Sequence, residues 1–306
     1  MRNTAKSRQD SLQECLVQEG EQSPYADLTV DLAFKKAFDP DKPASRENLV
    51  NLLNDILGPQ LKRPIREVRT RNVAQNLSGS SESRTAIFDL HCADDQGNLL
   101  EIEVQIKRAT RFLQRLAFYA AEMVANQSET GFQWKYNVKP TYVIAIMREN
   151  VFEDDRAVHR ATTLDLETKA QFLETFNFTV LELKKVPFFI EKTSDNVAKW
   201  LFFFRYLNNL KRLPEELDEG KFVKLTESSK VSNFTKREFE AYQTMRHEDW
   251  DRGVIAEAFI EDNPDVVEMI RDGKAREMAK AMLADGVPVS RIATYSGLSE
   301  EEIKAL

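Results

Sequence analysis

Hydrophobic and polar positions change their spacing several times along the chain, and each change marks an element. In "TVDLAFKKAF" the residues Leu32, Ala33, Phe34, Ala37 and Phe38 recur at helical intervals. "DPDKPAS" breaks that helix. A second follows over "RENLVNLLNDILG", with Ser45 as its expected cap, Gly58 at its close and an apolar stripe of Leu49, Leu52, Leu53, Ile56 and Leu57. "PIREVRTRNVAQNL" reads as an Arg-rich strand and "NLSGSSES" as a loop. Two alternating strands come next, turning over Asp94 to Asn98, where Gly97 can supply a positive φ. A helix is expected from about Ala109 to Asn126. "PTYVIAIM" is a continuous apolar run bounded by proline, as in a buried strand. "FNFTVLELKKV" reads as another strand and "NVAKWLFFFRYL" as an apolar helix. Beyond about residue 210 the sequence becomes charged and mainly helical, ending in "NPDVVEMIR", "GKAREMAKAMLADG", "VSRIATYSG" and "LSEEEIKAL". The pattern therefore gives a polar, mobile segment over 1–25, an α/β region over 26–210 and a helical region over 211–306.

Composition narrows the class. The 306 residues are 42% hydrophobic and 30% charged, an ordinary globular balance with material for a sizeable core. The net charge of −7 excludes a general polycation, so any nucleic-acid surface must be a local basic patch. Two cysteines, Cys15 and Cys92, make no disulfide framework, and three scattered histidines make no structural zinc site. The N-terminus has no apolar signal region, and the greasiest stretch, Trp200 to Leu207, is too short to span a bilayer. A cytoplasmic protein without membrane contact is the expectation.

Candidate chemistry sits on the hairpin. Strand alternation puts Glu101, Glu103, Gln105 and Lys107 on one face and Ile102, Val104 and Ile106 on the other. Thr85, Ile87, Asp89 and His91 share a face of the preceding strand. One reading is an amphipathic hairpin whose polar face meets water. The other starts from the acidic cluster, because adjacent like charges cost energy unless a cation offsets them. A hard divalent ion takes oxygen ligands, and Asp89 with Glu103 would supply the one or two carboxylates Mg²⁺ uses. His91 is expected at the rim, and the three tryptophans in the core or at interfaces.

The order of a helix with "DLAFKKAF", then Asp89, a short turn, Glu-x-Gln, a helix with Arg and Tyr, and the strand "YVIAIM" resembles the PD-(D/E)XK nuclease superfamily, specifically its recombination-promoting nuclease / putative transposase family. The resemblance covers roughly Leu28 to Leu210 and includes "LELKKVPFF" and the tryptophan helix after it. It implies a restriction-endonuclease-like αβββαβ core, a mixed sheet flanked by helices, with a C-terminal helical extension. It implies a metal-dependent DNA endonuclease linked to recombination or mobile elements, with Mg²⁺ as the metal and Mn²⁺ or Ca²⁺ as substitutes. A catalytically weak nuclease fold that binds DNA or a protein is the alternative. By the resemblance Asp89 and Glu103 hold the metal and Asp31 reaches it through water. Gln105 stands where the superfamily usually has lysine, and Arg115 and Tyr119 match the helix after the motif. Phe88 departs from the proline of the family name, and Arg84 fills a basic position ahead of the aspartate.

Hydrolysis of DNA also needs cations for its phosphates. Lys62, Arg63, Arg66, Arg69 and Arg71 lie in one segment against a single acid, Glu67, and Lys107, Arg108, Arg111 and Arg115 follow the hairpin. Together with Arg84 these are the expected DNA contacts. The C-terminal stretch resembles the helix-turn-helix-like ending of many family members, with Ile292, Ala293 and Leu298 packing inward. Glu300, Glu301 and Glu302 would repel phosphate, so its expected role is packing or homo-oligomer formation.

Overall fold

The pattern of apolar residues in "TYVIAIM" sets the middle of the sheet. In the computed structural model this run is β4 (Thr141–Met147), and every residue of it is buried. The structure describes residues 12–18, 21–70, 90–105, 111–128, 135–218, 220–246, 276, 278–283, 287–296 and 298–306, with Gln105 described by its backbone alone. Around β4 the described strands form a six-stranded mixed sheet in the order β1-β2-β3-β4-β6-β5. The others are β1 (Val68–Thr70), β2 (Leu90–Asp94), β3 (Leu99–Gln105), β5 (Val158–Leu164) and β6 (Gln171–Glu182). β3, β4 and β6 are parallel neighbours, while β1 and β2 on one side and β5 on the other run antiparallel. This mixed sheet with flanking helices is the α/β restriction-endonuclease-like architecture expected from the sequence.

The two faces of the sheet carry separate cores because successive strand side chains point to opposite sides. Leu100, Ile102, Tyr142, Ile144 and Ile146 belong to the larger cluster. It is completed by α1 (Asp31–Ala37), α2 (Pro43–Leu57), α4 (Asn196–Tyr206) and α5 (Gly220–Ser228). Val143, Ala145, Met147 and Leu99 face the other way, onto α3 (Phe112–Ala125) through Phe112, Leu116, Tyr119 and Met123. α4 is apolar on nearly all sides, as a helix enclosed by the core must be. Trp200 donates its indole N–H to Asp55 Oδ2 at 2.7 Å, so its one polar atom is paired.

Local readings are corrected at four points. Ser45 does not cap α2: the helix starts at Pro43, and the Ser45 hydroxyl donates to the Lys36 carbonyl at 2.9 Å. Gly58 keeps a right-handed conformation and leads into a 3₁₀ turn, Gly58–Gln60. β5 carries almost no apolar signal, because it is an edge strand. Within the segment expected to be mobile, Leu12 and Cys15 are 1% exposed, Val17 donates to the Asn209 carbonyl, and Leu16 bridges Leu210. Two apolar side chains three residues apart anchor a polar stretch. Gly97 does take the positive φ, +83°, in the β2–β3 turn.

The chain divides into two compact units, Met1–Met245 and Arg246–Leu306. In the second, Ile292, Leu298 and Ile303 are buried with Ala279, and Ala293 packs against them. Ser299 and Glu302 form a reciprocal capping box at the start of the helix Glu300–Lys304, which commits one of the three glutamates to backbone capping. Among the described residues no helix is long and apolar enough to cross a membrane.

Candidate active site

Glu101 and Glu103 lie two residues apart on β3, so strand alternation aims both at the α3 side of the sheet. That face does not meet water. α3 covers it, leaving Glu101 0% and Glu103 8% exposed. The water-facing reading of the hairpin is thereby overturned for Glu101 and Glu103, which are buried under α3.

Arg115 and Tyr119 are one helical turn apart on α3 and meet this face. The Arg115 guanidinium pairs with Glu103 Oε1 and lies 5.7 Å from the centre of the Phe112 ring and 5.9 Å from that of Tyr119. Two aromatic faces and a carboxylate therefore hold it in place. Burial pushes the Glu103 carboxyl upward, and Arg115 pulls it back down. Among the described residues no cation pairs with Glu101. Burial first, then the charges of Glu103 and Glu122, push it up to about 8. The Tyr119 hydroxyl is raised by burial and by the charge of Glu103, with Arg115 opposing.

Both carboxylate oxygens of Glu101, together with Glu103 Oε2, are buried with no hydrogen-bond partner among the described residues. Buried polar atoms in folded proteins are nearly always paired, so three acceptors without a partner among the described residues leave this wall suited to a positive one. A hard divalent cation, which takes carboxylate oxygens, fits that donor set. Among the described residues no group of three metal-ligating side chains is assembled, so any such site needs a further ligand. Asp89 lies outside the described residues. Its chain neighbour Leu90 pairs with Ile102, the residue between Glu101 and Glu103. Arg71, Arg84, Lys107 and Arg108 also lie outside the described residues, as does the Gln105 side chain. The Gln105 backbone pairs with Met147 at the end of β3.

Other expected residues have partners of their own. Asp31, on the first turn of α1, pairs with Lys35 at 2.7 Å. The buried acid of that region is Asp27, which accepts from Arg148, from Asn208 at 3.1 Å and from the Thr29 backbone N–H at 2.9 Å. The basic segment lies at the opposite end of the sheet from Glu103. Arg63 donates to Gln96 Oε1 at 3.0 Å, the Arg66 N–H donates to Asp95, and Lys62 pairs with Glu174, just before β6 joins the register at Phe176. These partners lie in the β2–β3 turn and at the entry of β6, whereas Glu103 is four residues farther along β3, about 13 Å away at strand rise. Arg69 pairs with Glu67 at 3.2 Å and its backbone is in register with Ala93, also toward the turn. Lys62, Arg63, Arg66 and Arg69 are exposed but do not converge on the carboxylates. Arg111 does stay close to this centre. It is exposed, and its carbonyl accepts the Arg115 N–H one turn into α3.

Sequence reasoning missed two features of this region, the burial of Glu101 and the position of Arg148. The burial of Glu101 depends on α3 crossing over it. Arg148 had a readable cue, being a charge directly after a wholly buried strand, where open α/β sheets place their ligands.

Comparison with known proteins agrees with this architecture. The model of the PD-(D/E)XK nuclease family transposases matches residues 28–258. No curated protein and no solved structure matches the chain.

Proposed function

Since the chain belongs to the PD-(D/E)XK nuclease family transposases, we propose that it is a metal-dependent DNA endonuclease that hydrolyses phosphodiester bonds during recombination or movement of mobile elements. The observation that carries the reading is the set of three buried carboxylate oxygens beside Arg115 that have no hydrogen-bond partner among the described residues. Asp89 and Glu103 would hold a divalent ion, Mg²⁺ by preference. When bound, the ion supplies Lewis acidity and a lowered pKa for water.

The chain's own residues do the rest. Glu103 carries two duties, through Oε1 to Arg115 and through Oε2 toward the ion. Arg115 is held in place by Glu103 and two aromatic rings, so its guanidinium charge is positioned to stabilise negative charge on the phosphate in the transition state. Gln105 positions water or a phosphate oxygen by hydrogen bonding, and Lys107 is the nearest substitute for the family's lysine. Tyr119 flanks Arg115 and keeps it over Glu103. Arg111 meets a neighbouring phosphate. Asp31, whose pair with Lys35 is solvent-screened, would reach the ion through water.

The direct test is conversion of supercoiled plasmid to open circles by the full chain with Mg²⁺ or with EDTA. Nicking that needs the ion supports the proposal; DNA binding without nicking under any divalent ion would leave a binding module in its place.

Arg115 gives a sharper consequence, because it competes with the ion for Glu103. Arg115→Gln is expected to tighten Mn²⁺ binding by about tenfold, measured by calorimetry, since a repelling charge leaves the site. The same change should lower cleavage about 10²-fold through loss of transition-state charge stabilisation. Binding and rate moving in the same direction would refute the double duty of Glu103.

A further inference from the structure

A cavity of about 250 Å³ opens at the C-terminal ends of β4 and β6. Its lining includes Asp27, Arg148, Lys184, Phe204, Arg205 and Asn208. We propose that this cavity receives a phosphate group, presented either by a nucleic-acid strand or by a free nucleotide. Where the phosphate comes from a strand being cut, the inference rests on the nuclease reading above.

Charge balance is the first argument. Three cations, Arg148, Lys184 and Arg205, line the cavity against one carboxylate, Asp27. A knot that served only to bury Asp27 would need one cation, and Arg148 is that cation. Lys184 does pair with Glu149 at 2.8 Å, but both side chains are about half exposed, at 55% and 45%. Such a solvent-screened pair holds its partners weakly and gives way to a stronger anion.

Preorganisation is the second. The Arg148 Nε donates to Thr29 Oγ1 at 2.6 Å and one terminal nitrogen to Asp27, so the guanidinium is fixed before any ligand arrives. One terminal nitrogen of Arg205 donates to the Leu183 carbonyl, and its guanidinium lies 5.2 Å from the Tyr206 ring centre. A guanidinium carries five N–H groups in a planar fork, so each arginine keeps donors beyond those bonds. Asp27 also orients the Asn208 amide at 3.1 Å, adding a neutral donor to the wall. Two braced forks, an ammonium and an amide around a concave space form the donor set that recognises a phosphate dianion.

Position is the third. Gln105, Met147 and Glu182 stand in one register row across β3, β4 and β6. Arg148, Leu183 and Lys184 follow directly after that row. The cavity thus shares the sheet edge toward which Glu103 lies on β3. Arg148 leaves β4 on the face opposite Glu103, so the two sites flank the same edge, on the order of 10 Å apart at ordinary strand spacing. A strand reacting at Glu103 would bring a phosphate a few nucleotides away to the cavity.

The test uses the full chain in EDTA at low ionic strength, so that no cleavage is required. Calorimetric titration with inorganic phosphate and with a deoxynucleoside monophosphate should show saturable binding. Lys184→Glu, an exposed position that keeps the fold, should weaken it about tenfold, the change expected when one charge-assisted contact becomes repulsive. Arg205→Gln should weaken it similarly, with circular dichroism as the check on folding, while Lys224→Gln, at an exposed residue paired with Glu47, should leave it unchanged. If a short duplex displaces the bound phosphate, the source is a nucleic-acid strand; if only the mononucleotide does, it is a free nucleotide. Absent binding, or equal binding by the parental chain and Lys184→Glu, overturns the proposal. A chain that nicks plasmid but shows no phosphate binding refutes the cavity alone, and one that binds phosphate but never nicks refutes the nuclease reading alone.

Discussion

Glu103→Gln is expected to reduce Mg²⁺-dependent plasmid nicking by at least about 10³-fold, a loss of roughly 4 kcal/mol or more in transition-state stabilisation. The substitution is nearly isosteric and keeps an oxygen that Arg115 can donate to, so the packing between β3 and α3 survives. What it removes is the negative charge that a divalent ion needs. Arg115 is 32% exposed and can be solvated once its partner is neutral, which limits the cost to stability. Asp89→Asn should have the same effect, because it is assigned the other anionic ligand. Open-circle formation measured over time is the readout, with thermal melting to confirm that both variants fold. Nicking at the parental rate by both variants would mean the metal site has been assigned to the wrong carboxylates.

A second large effect should appear in stability rather than in rate. Glu101 is fully buried, lacks a partner among the described residues, and is pushed up to about 8 from its usual value of 4.5. A folded-state pKa above the unfolded one means the folded chain holds its proton more tightly. The resulting stabilisation is fully present below pH 4.5 and is lost as the pH rises through about 8. The metal-free protein should therefore lose on the order of a few kcal/mol between pH 4.5 and pH 8 from this group alone. Glu101→Gln keeps the shape and has no proton to lose, so its stability should fall less over that window, with the raised Glu103 still contributing, and be higher than the parental chain's at pH 8. Urea denaturation in EDTA at pH 5 and pH 8 measures the difference. Parallel pH profiles for the two chains would show that the Glu101 carboxyl is not held neutral by its surroundings.

The chain's own sequence determined the elements whose identity is decided by local spacing. The apolar run of β4, the helical spacing of α2 and the largely apolar α4 were legible because each one's burial pattern is written into consecutive residues. The alternation of Leu100 and Ile102 with Glu101 and Glu103 fixed which residues share a face of β3, since a one-residue slip would reverse every side chain. The ordered motif also pointed to the family, whose model matches residues 28–258. β5 escaped because an edge strand need not be apolar, and its partner β6 supplies the ladder that defines it.

What lies opposite each face was decided only by tertiary structure. Whether Glu101 meets water or a helix depends on where α3 crosses the sheet, and nothing in "LLEIEVQ" records that crossing. Register likewise separated the basic segment from the carboxylates: Lys62, Arg63 and Arg66 are bound to the entry end of β3 and β6, while Glu103 lies toward the exit end. Distances between charges far apart in sequence set both their pairing and their pKa values. Those distances come from strand order and helix packing, which are properties of the whole fold rather than of any segment.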